Sequence, residues 1–444
     1  MNHRAYLALA IPLTISTITT PLLGAVDTAV VGRLPNPALI GGVAVGTIIF
    51  NTMYWLFGFL RVSTSGFAAQ ASGANDARES VLALARPFFI AMLVSLGFLL
   101  LQKPIEQGAL ALINPAADVG KFASQYFSIR IWGVPFTLLN YVILGWLMGT
   151  GRIKVAVVIQ ILMNILNMVL ALLFVNSFKW GISGVAAATL IAEFFAFALG
   201  LFILSTESSL RKSFPPLKEI IEPGSFKKMM MVNQDLFIRT MCLLAVFNLF
   251  TMKSASFGTE MLAANAVLFQ IHYLMAYAYD GFSNASSIFA GKAMGANDRK
   301  LYTKTLSMSS QWAIFSSLFL AAGYYMFSER IISIFTTIPS VIALAETYDQ
   351  WLILFPFAAS FGLILYGLFT GATETAPIRN SMVFALLVYL LALYSLVPLF
   401  GNHGLWMSFI VFSIGRSLFL ALYVPKLNKK YMQREKWAER IEYR

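Results

Sequence analysis

The sequence predicts an all-α polytopic membrane protein, with twelve transmembrane helices in two pseudo-symmetric six-helix lobes around a central cleft. Three observations predict this fold. Of the 444 residues, 58% are hydrophobic and 12% are charged, and the mean hydropathy is +0.74, whereas about a quarter of the residues are charged in soluble domains. Apolar runs long enough to cross a bilayer follow one another along the chain. One segment of the first half also returns in the second half.

The apolar runs form two sets of six, joined by a polar stretch that contains prolines. We predict an amino-terminal lobe over 1–204, a cytoplasmic linker over 205–228, a carboxy-terminal lobe over 229–424 and a basic cytoplasmic tail over 425–444. The first six spans are Ala5–Gly32, Leu39–Gln70, Val81–Leu101, Phe122–Met148, Ile153–Val175 and Ile182–Leu204. The other six are Met229–Thr251, Met261–Ala290, Leu306–Phe327, Tyr348–Phe369, Ser381–Leu399 and Leu405–Val424.

Positive charge is concentrated in the segments that connect the spans on one side. With both termini in the cytoplasm, the cytoplasmic segments hold most of the 32 Lys and Arg residues, as the positive-inside rule requires. The first span has no small-residue cleavage site after a short apolar region, so we expect it to be retained as a helix. The basic residues that give the net charge of +12 then orient the chain and contact lipid headgroups. We therefore expect no nucleic-acid partner.

The most informative feature is an internal repeat. The segment GFAAQASGAND, which ends at Asp76, returns as IFAGKAMGAND, which ends at Asp298. The two GAND tetrapeptides begin at Gly73 and Gly295, 222 residues apart, which is half the chain. An even number of spans separates them, so the two halves are parallel repeats that enclose a cleft. This plan is typical of a transporter rather than of a channel or an enzyme.

Asp27 on span one is the best candidate for a functional ionisable group. An ionisable residue at membrane depth is costly and is therefore a functional hypothesis by default. A carboxyl group near the outer end of the span can load a proton from outside and release it elsewhere. Pro21 removes a backbone hydrogen bond one to two turns earlier and is a candidate hinge. The alternative is a carboxylate that is permanently paired with an arginine or that caps a helix.

Polar residues of spans five and six lie at a depth similar to that of Asp27. Asn164 and Asn167 lie on span five, and Thr189 and Glu193 lie four residues apart on one face of span six. We predict that they form a hydrogen-bonded network that supports Asp27. The alternative is that the Asn and Thr side chains only join helices through interhelical hydrogen bonds.

Further polar residues of the spans are candidates for substrate-cleft residues or for structural charges. Asp235 and Arg239 have the i, i+4 spacing of a local ion pair. The partners of Arg130 and Arg416 cannot be assigned from the sequence. The full set of cleft or structural candidates is Arg61, Asn51, Asn140, Tyr141, Asp235, Arg239 and Asp280.

Several kinds of chemistry have no sequence signal here. The sequence has no Walker A motif, and its three histidines are scattered without metal-ligand spacing. The single cysteine, Cys242, excludes an intrachain disulfide. We therefore expect no enzyme activity, no metal site and no cofactor. Transport would then draw on an ion gradient.

Four segments on spans one, two, four and eight together resemble the MATE (multidrug and toxic compound extrusion) transporters, and their prokaryotic DinF-type branch most of all. They are VDTAVVG at Val26–Gly32, FLRVSTSG at Phe59–Gly66, RIWGVP at Arg130–Pro135 and DGF at Asp280–Phe282. The resemblance covers essentially the whole chain. It implies two six-helix lobes around a central cleft and export of cationic or hydrophobic compounds in exchange for protons or sodium.

The resemblance also implies a role for individual residues. Asp27 would take part in cation coupling, and Asn167 and Thr189 resemble the polar residues that surround the equivalent acid in the family. We expect a protein of the cytoplasmic (inner) membrane of a prokaryote that works as a monomer. Its partners would be small organic cationic or hydrophobic substrates and the lipid bilayer.

The chain departs from the family pattern at two positions. Family members often have an aspartate where this chain has Ala171, and DinF-type chains often have a glutamate where it has Ser287. Fewer acids leave fewer hard oxygen ligands for Na⁺, which requires several. We therefore expect coupling to H⁺ rather than to Na⁺, with Asp27 as the main site.

Three hypotheses follow from these residues. The first is a proton-coupled drug antiporter, with a Na⁺-coupled antiporter as its variant. The second is a flippase for lipid-linked precursors, as in the wider superfamily, whose cleft would hold pyrophosphate. Its candidate residues are Arg61, Arg130, Arg239 and Arg416. The third, a membrane-embedded enzyme, has no catalytic constellation to support it.

Overall fold

The chain folds into helices throughout the part that the structure, a computed structural model, describes, which is residues 2–32, 36–207, 210 and 215–429. The side chains of residues 19–29 and 37 lie outside this description. The helices are α1 His3–Val31, α2 Pro37–Phe57, α3 Phe59–Gly73, α4 Ala77–Leu100, α5 Gln102–Ile113, α6 Ala117–Arg130, α7 Val134–Gly149, α8 Ile153–Leu172, α9 Gly181–Ser205, α10 Leu217–Ile220, α11 Pro223–Ala255, α12 Thr259–Gly295, α13 Arg299–Phe335, α14 Pro339–Tyr348, α15 Gln350–Gly371 and α16 Ala376–Ala421.

The predicted all-α membrane fold with twelve spans is confirmed. Ten helical stretches of the described residues are long and apolar enough to cross a membrane, and they run from α2 to the end of the described chain. The last of them contains two helices, because the backbone of α16 leaves the helical region at Gly401 (φ 55°, ψ −127°). The 29-residue helix α1 supplies the remaining span.

The chain divides into two compact units, one formed by Ile18–Met230 and the other by the residues up to Thr17 together with those from Met231 onward. The start of α1 therefore packs with the carboxy-terminal helices, and the predicted lobe boundaries stay a prediction. The Tyr6 hydroxyl lies 2.7 Å from that of Ser286 on α12. A Cβ at Gly281, the glycine of the Asp-Gly-Phe segment, would collide with α1. This glycine therefore lets two helices of one unit approach closely.

The internal repeat extends to the backbone geometry of its turns. Asn75 and Asn297 both adopt positive φ angles, of 53° and 55°. The aspartates that follow them, Asp76 and Asp298, both cap the next helix by accepting a backbone N–H at 2.9 Å. The repeated tetrapeptide is thus a helix-ending turn followed by a helix-starting cap.

The repeat also includes helix contacts that the turn motif does not reveal. In the amino-terminal unit, a Cβ at Gly145 or Gly149 would collide with the backbone carbonyls of Arg61 and Ser65 on α3. In the carboxy-terminal unit, Gly367 and Gly371 lie in the same way against the carbonyls of Ser283 and Ser287 on α12. Each residue of the second set lies 222 positions after its counterpart. Close helix contact through glycine, typical of membrane proteins, is therefore part of the repeat.

Several irregular segments divide or connect the spans. Span two is divided at Gly58 into α2 and α3, and span four contains a 3₁₀ turn over Ile131–Gly133. The short helices α5 and α14 lie in connections where hydropathy predicted no helix. Both are too short to cross a bilayer.

The described part of the linker docks on α4. Ile220 of α10 is 6% exposed and packs with Leu82 and Ala85. Arg78 forms an ion pair with Glu219 through two of its nitrogens. This guanidinium holds the pKa of the Glu219 carboxyl below its usual range. Residues 208, 209 and 211–214 of the linker and residues 430–444 of the tail lie outside the described residues.

Candidate functional site

Asp27 and Pro21, the predicted coupling acid and hinge, both lie within helix α1. Their side chains are outside the described residues, so their roles stay predictions. The backbone of α1 is helical from His3 to Val31, including the position of Pro21.

The amino-terminal unit buries the polar residues predicted for span five. Asn164 and Asn167 on α8 are each 2% exposed. Gln160 donates to the side-chain oxygen of Asn164 at 3.4 Å. The Oδ1 atom of Asn167 is buried without a hydrogen-bond partner among the described residues. A buried acceptor without a donor is costly. A protonated group beside the Oδ1 atom of Asn167 would therefore be favoured.

Thr189 and Glu193, the two candidates on α9, have different surroundings. The hydroxyl of Thr189 donates to the carbonyl of Val185 in its own helix at 3.2 Å. Glu193 accepts from Arg130 at 2.6 Å, and the two side chains are only 8% and 6% exposed. The structure therefore assigns to Glu193 an arginine partner that the sequence had left open.

The Arg130–Glu193 pair is enclosed by a glycine and by aromatic rings. A Cβ at Gly133 would collide with the Glu193 carboxylate and would approach the Arg130 guanidinium to 3.0 Å. The guanidinium carbon lies 5.0 Å from the ring centre of Phe50 and 5.5 Å from that of Tyr54, within range of a cation–π interaction. The Arg-Ile-Trp-Gly segment thus supplies both the cation and the space for its partner.

The remaining candidates of the amino-terminal unit have varied surroundings. Asn140 is 4% exposed and donates to the sulfur of Met163 at 3.9 Å. The side chain of Arg61 acts electrostatically on the hydroxyl of Tyr141. Asn51 is exposed. Of these candidates, Asn140 is therefore buried and Asn51 lies at the surface.

The predicted ion pair between Asp235 and Arg239 is wrong. Asp235 accepts instead from Arg379 at 2.6 Å and from the hydroxyl of Thr375 at 2.8 Å, both at the start of α16. The Arg239 guanidinium lies over the ring of Tyr366 on α15, 4.6 Å from its centre. Contact between helices prevails over i, i+4 spacing here because Asp235 is buried against α16 and has stronger partners there.

Arg239 and Arg416, the second of which the sequence left without an assigned partner, share one region of the carboxy-terminal unit. Arg416 on α16 lies close enough to Arg239 and Asp280 to interact with both electrostatically. The Nε atoms of Arg239 and Arg416 are buried without a hydrogen-bond partner in the described structure.

A buried amide network in the same unit was not predicted. Asn265, 1% exposed, exchanges hydrogen bonds with Asn402 at 2.7 and 3.1 Å. Its amide also donates to Ser254, and its carbonyl accepts from the indole of Trp406. The signal that could have identified it is an asparagine inside an apolar run, the criterion used for span five.

His272 was likewise missed as a buried titratable group. It is 3% exposed and lies within an aromatic cluster, 4.4 Å from the ring centre of Phe355 and 5.0 Å from that of Phe409. Across the described residues, no group of three or more His, Cys, Asp or Glu side chains is arranged to hold a metal ion.

Comparison with known proteins places these features in a wider context. The family model described as MatE matches residues 12–173 and 236–394. The chain is 34% identical over 420 residues to DNA damage-inducible protein F of Escherichia coli K12, and the match covers 95% of this chain and 91% of that protein. It is 22% identical over 451 residues to the probable multidrug resistance protein NorM of Bacillus subtilis 168, and the match covers 97% of this chain and 96% of that protein.

Solved structures show the same fold. An outward-facing multidrug resistance MATE family transporter of the MOP superfamily superposes with a TM-score of 0.88 at 18% identity, covering 97% of this chain and 96% of that one. A MOP superfamily transporter from Pyrococcus furiosus gives a TM-score of 0.87 at 18% identity, with 96% of each chain covered.

Proposed function

The chain belongs to the MatE family, and on that premise we propose that it is a secondary active multidrug efflux transporter that exchanges protons for cationic or hydrophobic organic compounds. The match of the family model to both halves of the chain carries this function. The relative from Bacillus subtilis is named a probable multidrug resistance protein. The chain is a multi-pass membrane transporter and, like its relatives, acts by transport rather than by catalysis.

Proton coupling rests on Asp27 in this proposal. With the transporter open to the outside, Asp27 takes up a proton, helix α1 bends at Pro21, and the bound drug is released. The loaded protein returns to the inward-open state and discharges the proton into the cytoplasm. Coupling requires that proton and drug favour different states, whether or not they contact the same atoms.

The polar groups of α8 and α9 support this role. Asn167 presents a buried Oδ1 atom without a partner in the described structure, and a protonated carboxyl group would donate a hydrogen bond where a carboxylate could not. Asn164 and Thr189 would supply further polar contacts to the same site. Glu193 contributes by holding Arg130 in place.

The positions that lack family acids support H⁺ over Na⁺ as the coupling ion. Ala171 is fully buried and has no side-chain oxygen. Ser287 is 4% exposed, and Thr370 donates to its hydroxyl at 3.3 Å. Since Na⁺ requires several oxygen ligands, neither position replaces a carboxylate ligand. No resident metal or organic cofactor takes part in the proposed cycle.

The cellular setting completes the proposal. The transporter lies in the inner membrane of a bacterium, works as a monomer in the lipid bilayer, and has both termini in the cytoplasm. Its substrates are small organic compounds, and it has no nucleic-acid partner. Reporter fusions after each span would test the orientation, and the mass of the detergent-solubilised protein would test the monomer.

Transport by the Asp27→Asn variant is the decisive test. The parent and the variant are placed in liposomes under an imposed pH gradient or Na⁺ gradient, and movement of a fluorescent organic cation is followed. The parent should respond to the pH gradient and the variant should lose the response. Asp118→Asn, at an exposed acid in the first turn of α6, is the matched control and should transport normally. Normal transport by Asp27→Asn at equal protein level would exclude this coupling site, and a response to Na⁺ alone would favour the sodium variant.

The flippase alternative finds less support. Of the four arginines that would hold pyrophosphate, Arg130 is instead engaged by Glu193 in a buried pair. The same liposomes, loaded with a fluorescent lipid-linked pyrophosphate, would show transbilayer movement only if that alternative is correct.

A further inference from the structure

A pocket in the carboxy-terminal unit lies between helices α11, α15 and α16. It encloses about 300 Å³ of empty space, with the open solvent at its mouth included. Its polar lining comes from Arg239, Tyr366, Ser381 and Arg416, and Leu363 and Met382 are among its apolar residues. Two guanidinium groups therefore line one small pocket.

Neither half-buried arginine of the pocket is paired with a carboxylate in the way that two other arginines of the chain are. Arg130 is paired with Glu193, and Arg379 with Asp235. Within the described residues, neither Arg239 nor Arg416 forms an ion pair with a carboxylate, and each has a buried Nε atom without a hydrogen-bond partner. Because buried donors without acceptors are costly, the two side chains are suited to a ligand that supplies acceptor oxygens.

The charges around the pocket leave it net positive. Arg239 and Arg416 repel each other, and Asp280 attracts Arg416. The carboxylate of Asp235 is already shared by Arg379 and Thr375. Two positive charges thus face one carboxylate, which disfavours an organic cation and favours an anion.

Aromatic rings give each arginine a fixed direction without neutralising it. Arg239 lies over Tyr366, and the guanidinium carbon of Arg416 lies 5.8 Å from the ring centre of Phe412. A cation–π contact orients a guanidinium but accepts no hydrogen bond from its edge. The N–H groups therefore remain available, in the planar arrangement that matches the oxygens of a phosphate.

The depth of the pocket matches a phosphate near the membrane surface. Tyr366, Ser381 and Arg416 each lie five residues from the helix end on the same side, at Gly371, Ala376 and Ala421 respectively. At a rise of about 1.5 Å per residue, each lies about 7–8 Å from that end. Ligands can therefore arrive from the adjacent aqueous phase or from the headgroup layer of one leaflet.

We propose that Arg239 and Arg416 form a binding site for a phosphate group, separate from the proton-coupling acid. Both guanidinium groups donate to the phosphate oxygens, and the hydroxyl of Ser381 lies at the wall of the same pocket. The phosphate belongs either to the headgroup of an anionic lipid or to a free phosphate-bearing solute. The proposal does not depend on proton coupling at Asp27, because every residue of the site lies in one unit.

The test measures binding to the full chain purified in detergent. The probes are inorganic phosphate, dioctanoyl phosphatidylglycerol and, as the headgroup without net charge, dioctanoyl phosphatidylcholine. Isothermal titration gives the affinity, and the shift of the melting temperature gives an independent reading. The variants are Arg239→Gln, Arg416→Gln and the double variant. Arg330→Gln, at an exposed arginine of the same unit, is the matched control.

Binding by the parent and the control, weakened at least about tenfold in the double variant, is the expected result, since each arginine contributes charge-assisted hydrogen bonds. Response to inorganic phosphate identifies a soluble ligand, and response to phosphatidylglycerol alone identifies a lipid headgroup; both support the site. If the double variant does not fold, the single variants decide, and each should bind several-fold more weakly than the parent. Equal binding by the parent and both single variants, or no binding of either anionic probe to the parent, would overturn the proposal.

Discussion

Replacing Glu193 by glutamine removes the negative charge of the buried Arg130–Glu193 pair while keeping its shape. The two side chains are 6% and 8% exposed and 2.6 Å apart, so water does not screen the lost charge. Breaking a buried pair by removing one partner costs about 3–5 kcal/mol. Phe50 and Tyr54 keep part of the stabilisation of Arg130, about 1 kcal/mol through cation–π contact. We therefore expect Glu193→Gln to destabilise the protein by about 2–4 kcal/mol.

Equilibrium unfolding in mixed detergent micelles measures this change, and a double-mutant cycle assigns it to the pair. Arg130→Met alone should also destabilise, whereas Arg130→Met with Glu193→Leu should recover most of the loss, because a buried pair can be replaced by apolar side chains. Glu219→Gln is the matched control, because the Arg78–Glu219 pair has side chains 38% and 35% exposed and should matter far less.

Two results would refute this reasoning. One is a Glu193→Gln variant within about 1 kcal/mol of the parent, which is the range of a surface pair. The other is a double variant whose loss equals the summed losses of the single variants, since independent sites add and paired ones do not.

The remaining predictions concern packing, buried amides and pH. Gly371→Ala should destabilise by about 1–3 kcal/mol, because its Cβ would meet the backbone of α12; Gly97→Ala, with nothing within 4 Å, should be neutral or slightly stabilising in the same unfolding assay. Asn265→Ala should lower the melting temperature markedly because it leaves three partners unsatisfied, whereas Asn248→Ala, at an exposed asparagine, should not. The pKa of Glu219 is lowered by an arginine on α4, so its contact stabilises the linker near neutral pH and is lost as the pH falls through that lowered pKa. Limited proteolysis of the linker should therefore accelerate in acid, and unchanged cleavage would contradict the docking.

The fold followed from the sequence because its signals are local. Hydropathy predicts a span from its own residues, and the GAND repeat that divides the chain into two halves is visible in the sequence itself. The structure confirms twelve spans and shows the same asparagine conformation in both turns. Hydropathy averaged over a window does not resolve short features, which is why α5, α14 and the break at Gly58 were not predicted.

The side-chain partners could not be predicted, because they depend on how neighbouring helices are rotated. Sequence spacing paired Asp235 with Arg239, whereas Asp235 accepts from Arg379, far along the chain. Arg130 and Glu193 are likewise brought together only by packing, 63 positions apart. Asn164 and Asn167 were identified because a polar residue within an apolar span is rare, so each could be recognised without knowing its partner.

The glycine contacts of the two halves have an evolutionary consequence. Gly145 and Gly149 contact α3 where Gly367 and Gly371 contact α12, at a constant offset of 222 residues. The segment between the paired contacts therefore has the same length in both halves, connecting loops included, as a duplication without net insertion or deletion would produce. This block of three spans is the natural unit for building chimeras that exchange one half for the other.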